Sequence, residues 1–160
     1  MNPEAISERL ASRSATRAIA SAGLVAGALD IAAAFLVYGA FGARPIPLLQ
    51  GIAAGLLGPR ALAGGLATAA LGLFLQFFIA TSFAGVYYAA SRRMPFLLRR
   101  TILSGVLYGA AAYFFMNRIV VPLSAAHKYP FSFKMMAIGV TIHIVCVGLP
   151  IAIVVGRFSA

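Results

Sequence analysis

Four apolar stretches, each 23 to 29 residues long, constrain this 160-residue chain more than any other feature. They are residues 18–41, 62–90, 101–123 and 133–155. The hydrocarbon core of a bilayer is about 30 Å thick and is crossed by about 20 helical residues. The stretches are continuously apolar rather than alternating, which favours helices over the strands of a barrel. The sequence therefore predicts an all-α polytopic membrane protein with four transmembrane helices.

The composition leaves little polar surface with which to cover a water-soluble globule. The chain is 62% hydrophobic and 10% charged, and its mean hydropathy is +0.96. We therefore expect one membrane domain over residues 1–160. The run from Gly23 to Ala28 resembles the run from Gly105 to Ala110. This weak repeat suggests two helical hairpins, residues 18–90 and 101–155.

Two shorter segments are expected outside the four spans. Residues 48–57 lie between Pro-Ile-Pro and Gly-Pro sequences, and as a helix they would measure about 15 Å, too short to span. They are predicted to form an interfacial helix, with a re-entrant element as the alternative. Residues 2–17 begin with the helix-start signals Pro3 and Glu4, which predict an N-terminal surface helix.

The net charge of +10 is spread over the segment ends instead of forming one basic stripe interleaved with aromatic residues. This distribution favours anionic lipid headgroups as the partner and argues against nucleic acid. Eight basic residues fall on one predicted side and five on the other. The eight are Arg9, Arg13, Arg17, Arg92, Arg93, Arg99, Arg100 and Arg157, and the five are Arg44, Arg60, Arg118, Lys128 and Lys134. Because basic residues favour the cytoplasmic face, both termini are predicted to be cytoplasmic.

Asp30 is the only acidic residue after position 8, and it lies near the middle of the first stretch. A carboxyl at that depth costs about 2.5 to 3.5 kcal/mol on insertion scales, so it should be neutralised, paired or functional. Counted from the flanking arginines, Asp30, His143 and Gln76 lie at similar heights of about 20, 21 and 24 Å. They are predicted to form one polar network with Asp30 close to His143. The network is either an ion or proton site or a hydrogen-bonded clasp between helices.

Arg118 is the other possible charge partner of Asp30, with Asn117 beside it. Arg118 falls opposite the glycine face of its helix, so we expect its side chain to reach the outer headgroups instead. Small residues at four-residue spacing allow close helix packing in lipid. The predicted packing glycines are Gly23, Gly27, Gly64, Gly72, Gly105, Gly109 and Gly139.

The sequence lacks the usual signatures of catalysis. Its two histidines do not suit a bis-histidine haem site, and His143 with Cys146 falls short of the three or four ligands that zinc takes. We find no phosphate-binding glycine loop, nucleophile elbow or paired carboxylates. No enzyme activity, metal or cofactor is expected. Four tyrosines near segment ends are predicted to anchor the helices at the interfaces, namely Tyr38, Tyr87, Tyr88 and Tyr129.

The run from Asn117 to Ser124, Asn-Arg-Ile-Val-Val-Pro-Leu-Ser, and the later Gly148-Leu-Pro150 resemble sequences of uncharacterised small four-helix bacterial inner-membrane proteins. This resemblance implies a location in the inner membrane and a four-helix topology, without an assigned activity.

Two functional hypotheses follow from these features. The first is a non-catalytic scaffold or accessory subunit, either homo-oligomeric or part of a larger membrane complex, because short loops and packing glycines suit lateral association. The second is a small proton-linked or cation-linked transporter or channel with Asp30 as the binding carboxyl.

Overall fold

The computed structural model describes residues 3–127 and 131–159, with side chains over 14–127 and 131–158. Within those ranges the chain is helical and contains no β-strand. The helices are α1 (Pro3–Ala40), α2 (Pro45–Leu57), α3 (Gly65–Arg93), α4 (Phe96–Arg99), α5 (Thr101–Phe115), α6 (Val121–Leu123), α7 (Phe133–Ile142) and α8 (Leu149–Ser159). A 3₁₀ helix, Gly58–Ala63, follows α2, and two π-helices, Met116–Val120 and His143–Gly148, join α5 to α6 and α7 to α8. The all-α class is confirmed.

Five segments in the described part of the chain are long and apolar enough to cross a membrane, one more than predicted. The additional segment is Pro45–Ala63, with 19 residues. It joins the predicted short stretch to the following 3₁₀ helix. Gly58 between them has φ +67°, a left-handed conformation that suits glycine and turns the chain. The segment is therefore two helical pieces rather than one straight helix.

The first helix differs from the predicted surface helix followed by a separate span. α1 continues without interruption for 38 residues, from Pro3 to Ala40. The chain has neither glycine nor proline between Pro3 and Gly23, so no residue favours a break there. The N-terminal residues thus extend the first apolar helix.

α1 and α3 pack side by side in opposite directions. Backbone contact is closest at Gly23, where an added Cβ would lie 2.6 Å from the Cα of Thr81. One turn later, a Cβ on Gly27 would lie 2.7 Å from the Phe77 ring. Increasing residue numbers on α1 therefore meet decreasing numbers on α3.

The α5 segment and the α7–α8 segment form a second antiparallel pair. A Cβ on Gly105 would lie 3.0 Å from the Cα of Leu149, and one on Gly109 would lie 2.6 Å from the Cα of Ile144. Tyr113 meets Gly139 further along the same pair. The two antiparallel pairs pack together around a core of alanines, branched residues and one tyrosine, namely Ala22, Ala26, Ala84, Tyr87, Val147, Ile151, Ala152 and Val155.

α2 packs along the beginning of α3. The carbonyl of Leu49 contacts the position where Gly72 would carry a side chain. Gln50, which is buried, donates from Nε2 to the carbonyl of Gly65 at 3.0 Å. At the other end of α2, the amide of Ala125 donates to the carbonyl of Gly55 at 3.0 Å. Gly72 therefore fits beneath α2 because it lacks a side chain.

The predicted interfacial role of Tyr87 is wrong. Tyr87 is completely buried, and its hydroxyl donates to the carbonyl of Leu97 at 3.1 Å. Its ring meets Tyr108 edge to face with centroids 5.0 Å apart. A buried tyrosine requires a partner for its hydroxyl, and the turn between α3 and α5 supplies one. Tyr129 lies outside the described residues.

Candidate functional site

Asp30 and Gln76 are joined by a hydrogen bond between α1 and α3. Nε2 of Gln76 donates to Oδ2 of Asp30 at 2.7 Å. Both side chains are partly buried. An amide donor can serve a carboxylate or a protonated carboxyl, since either form retains an acceptor oxygen. The interaction lowers the cost of holding Asp30 in an apolar helix.

The close approach of α1 and α3 places Gln76 within reach of Asp30. Gly27 precedes Asp30 by about one helical turn, and the neighbouring Phe77 and Ala80 pack over it. A Cβ on Gly27 would lie 3.3 Å from the Cβ of Ala80. A larger residue there would push the helices apart and lengthen the bond. The small-residue face and the polar pair are therefore one packing unit.

Two further residues are close enough to Asp30 to interact with it electrostatically. Tyr38, on the same helix, interacts with Asp30 and with Tyr113. Cys146, in the 143–148 π-helix, also interacts with Asp30. The described residues show no ion pair or hydrogen bond from Asp30 to a basic side chain. Asp30 thus lies among neutral polar groups contributed by three helical segments.

His143 contacts residues other than Asp30, namely Gly139 and Tyr113. Its Nδ1 lies 3.0 Å from the carbonyl of Gly139. Because a carbonyl oxygen only accepts, Nδ1 must carry the proton in this bond. The ring meets Tyr113 edge to face, with centroids 5.4 Å apart and an interplanar angle of 82°. In the described part of the chain, no direct bond joins His143 to Asp30. Tyr38 interacts with Asp30 and with Tyr113, and Tyr113 contacts His143.

His143 is the first residue of a π-helix, His143–Gly148. In this turn the amide of Leu149 bonds to the carbonyl of Ile144, five residues earlier. Pro150 follows directly, and in an α-helix its ring would clash with the carbonyl four residues before it, that of Cys146. The wider turn relieves that clash. π-helical turns occur frequently at functional sites, and this one carries both His143 and Cys146.

Arg118 and Asn117 lie in the other π-helix and are both exposed. Asn117 donates from Nδ2 to the carbonyl of Tyr113 at 3.0 Å, within its own helical segment. Arg118 interacts electrostatically with Tyr113. It forms no ion pair with Asp30 among the residues that the structure describes. Both residues therefore interact with Tyr113 rather than with Asp30 in the described part of the chain.

The predicted packing glycines are not all equivalent. Gly23, Gly27, Gly72, Gly105, Gly109 and Gly139 each face an atom from another segment. Gly64 is exposed, and its nearest neighbour is the side chain of Thr68, close by in sequence. Gly148 makes one of the tightest contacts, because a Cβ on it would lie 2.6 Å from the Cα of Gly109. Its place in the α5 crossing was not predicted.

Sequence reasoning missed the tyrosines of the site. Tyr38 was interpreted as an interfacial anchor, although it follows Asp30 by eight residues, which is about two turns on the same face. That spacing could have indicated its position. Tyr113 has no comparable signal, because its contact with His143 depends on how two different segments cross.

Surface shape and donor chemistry limit what the cluster can bind. Two surface depressions are lined by residues 44–47 and by residues 99–103 and 106, and neither includes Asp30. Over residues 14–127 and 131–158, no group of three histidine, cysteine or acidic side chains could hold a metal ion.

Comparisons of the chain with protein-family models, curated proteins and solved structures gave no match.

Proposed function

We propose that the chain is a non-catalytic membrane scaffold or accessory subunit, acting as a homo-oligomer or within a larger membrane assembly. The observation that carries this proposal is the hydrogen bond from Gln76 to Asp30 at a closely packed crossing. The carboxyl, the residue most expected to act chemically, serves to hold two helices together. Polar side chains between helices favour association in lipid, where apolar packing alone provides little drive.

The proposed topology has four membrane crossings, with α2 as a re-entrant or interfacial helix. The antiparallel packing of α1 and α3 supports an even number of crossings through α3, because a complete crossing by α2 would make them parallel. α2 has 13 residues and a length of about 20 Å, shorter than the hydrocarbon core. We propose the bacterial inner membrane with both termini cytoplasmic, in agreement with eight basic residues on that side against five.

Thiol accessibility tests this topology. In a Cys146→Ser background, Arg44→Cys and Arg60→Cys should react with an impermeant maleimide in intact spheroplasts, since the proposed topology places both ends of α2 on the outer side of the membrane. Met94→Cys, which is exposed in the connection after α3, should react only after lysis. Reaction of Arg44→Cys and Arg60→Cys from opposite sides would contradict the re-entrant assignment and favour a fifth crossing.

Proton-linked or cation-linked transport is the second candidate function. The specific observation in its favour is the π-helix that begins at His143. With Nδ1 donating to Gly139, the remaining Nε2 is available to accept a proton. Asp30 interacts electrostatically with Tyr38, which in turn interacts with Tyr113. A proton moving between the two groups would require a rearrangement or a water between these rings.

Asp30→Asn separates the two functions. The asparagine oxygen can still accept from Gln76, so a scaffold should retain insertion, the mass of its native assembly in mild detergent and its cellular phenotype. A transporter should lose ion-dependent flux in proteoliposomes while remaining inserted. We expect wild-type proteoliposomes to show no flux above protein-free vesicles. Flux in the wild type that disappears in Asp30→Asn would replace the scaffold proposal with the transport one.

A further inference from the structure

Two neighbouring arginines adjoin an apolar surface depression between α4 and α5. The depression is lined by Arg99, Arg100, Thr101, Ile102, Leu103 and Val106, at the beginning of α5. Both arginines are exposed. Neither forms an ion pair in the part of the chain whose side chains are described, where Asp30 is the only acidic side chain. The guanidinium groups therefore remain available to an anion.

The connection that carries these arginines is held in place by the core. Leu97 and Leu98 pack against the central cluster, and the buried Tyr87 donates to the carbonyl of Leu97. Thr101 donates from Oγ1 to the carbonyl of Leu98 at 2.9 Å. These contacts turn the leucine side of the connection inward and leave the arginine side outward. The backbone that presents the two arginines is thus already ordered.

The apolar side of the depression has the chemistry of an acyl-chain contact. Ile102 is 68% exposed and Leu103 is 49% exposed, while Val106 follows one turn along the helix. These side chains form a continuous apolar strip that starts at the arginine level. A phosphate bound by the guanidinium groups would place its attached chains along this strip. Arginine binds phosphate strongly because its planar group donates two parallel hydrogen bonds.

We propose that residues 99–106 form a binding site for one anionic phospholipid, with the phosphate at Arg99 and Arg100 and an acyl chain against Ile102, Leu103 and Val106. Charge complementarity selects an anionic lipid, and the adjoining apolar strip selects a lipid over a free phosphate. The cytoplasmic leaflet carries such lipids, and the proposed topology puts α4 at that surface. The site is independent of whether the protein acts as a scaffold or as a transporter.

Native mass spectrometry in mild detergent with added phosphatidylglycerol or phosphatidylcholine tests the site. The wild type should retain one phosphatidylglycerol in preference to phosphatidylcholine. The double variant Arg99→Gln/Arg100→Gln should bind phosphatidylglycerol about 10-fold to 30-fold more weakly, since each arginine near an anionic headgroup contributes at most about fivefold. Glycerol phosphate, which lacks acyl chains, should not displace the bound lipid.

The matched control is Arg92→Gln/Arg93→Gln. It removes the same charge from exposed positions in the last turn of α3 and should change lipid affinity less than twofold. Leu103→Ser tests the apolar strip without changing charge and should weaken binding severalfold, and a thermal melt of each variant checks folding. Equal losses in both double variants would reduce the site to general surface attraction and overturn the proposal. Equal binding of phosphatidylcholine, or displacement by glycerol phosphate, would overturn it as well.

Discussion

Gly148→Ala should destabilise the protein by about 3 kcal/mol, a large effect for the addition of one methyl group. The new Cβ would lie 2.6 Å from the Cα of Gly109 and 2.5 Å from its nitrogen. It would also meet the carbonyl of Gly105. These are backbone atoms of the facing helix, so no side-chain rotation relieves the collision. The free energy of unfolding, measured by titration with dodecyl sulfate in mixed micelles, should fall accordingly.

Gly156→Ala is the matched control for this change. Gly156 lies eight residues further along the same segment, and a Cβ there would lie 3.9 Å from the nearest atom of Thr101, an ordinary contact. Alanine is favoured over glycine inside a helix by about 0.5 to 1 kcal/mol, so this variant should be as stable as the wild type or more so. If Gly148→Ala were also as stable as the wild type, the close crossing of α5 with the His143–Gly148 π-helix would be refuted.

Gln76→Leu should destabilise the protein by about 2 kcal/mol, because the Asp30 carboxyl would lose its donor in apolar surroundings. Replacing both polar side chains should restore most of the lost stability. Asp30→Leu/Gln76→Leu should therefore be within about 1 kcal/mol of the wild type, since apolar replacement of a buried polar pair is often neutral. The same titration of Asp30→Leu, Gln76→Leu and the double variant yields the coupling energy between the two positions.

Ser82→Ala controls for the loss of a polar group from α3. Ser82 is exposed and donates to the carbonyl of Phe78 within its own helix, so its loss should change stability by less than about 0.5 kcal/mol. A double leucine variant that lost as much stability as the sum of the single variants would show that the two side chains act independently. That result would remove the observation on which the scaffold proposal depends.

Sequence-based predictions were most accurate for features that depend on the helix length needed to cross a bilayer and on backbone hydrogen bonding within helices. The third predicted span, residues 101–123, coincides with the observed segment Thr101–Leu123, because a polar, basic connection precedes it and a proline lies near its end. The proximity of Asp30 and Gln76, which their hydrogen bond shows, was also expected from counting residues. Their hydrogen bond then depended only on which helix faces met, which the small residues around Gly27 indicate.

Other features depend on contacts between segments and left little trace in the sequence. The location of α2 against α3 depends on a glycine beneath the Leu49 carbonyl, which looks like any other glycine in an apolar helix. Tyr87 lies near a segment end, as interfacial tyrosines do, but the following turn folds back over it. The π-helices arise from crowding around prolines and at helix crossings, and hydropathy does not report on either.

The π-helix at His143–Gly148 also determines which side chains of its segment share a face. Gly139 and Val155 are both buried, yet a regular α-helix would turn positions 16 residues apart by about 160° relative to each other. One surplus residue in the wide turn reduces that angle to about 60°, because each residue accounts for about 100° of rotation. The π-helical turn thus shifts the rotation of one half of the segment relative to the other. As a result, both halves direct their small and branched residues into the same interior.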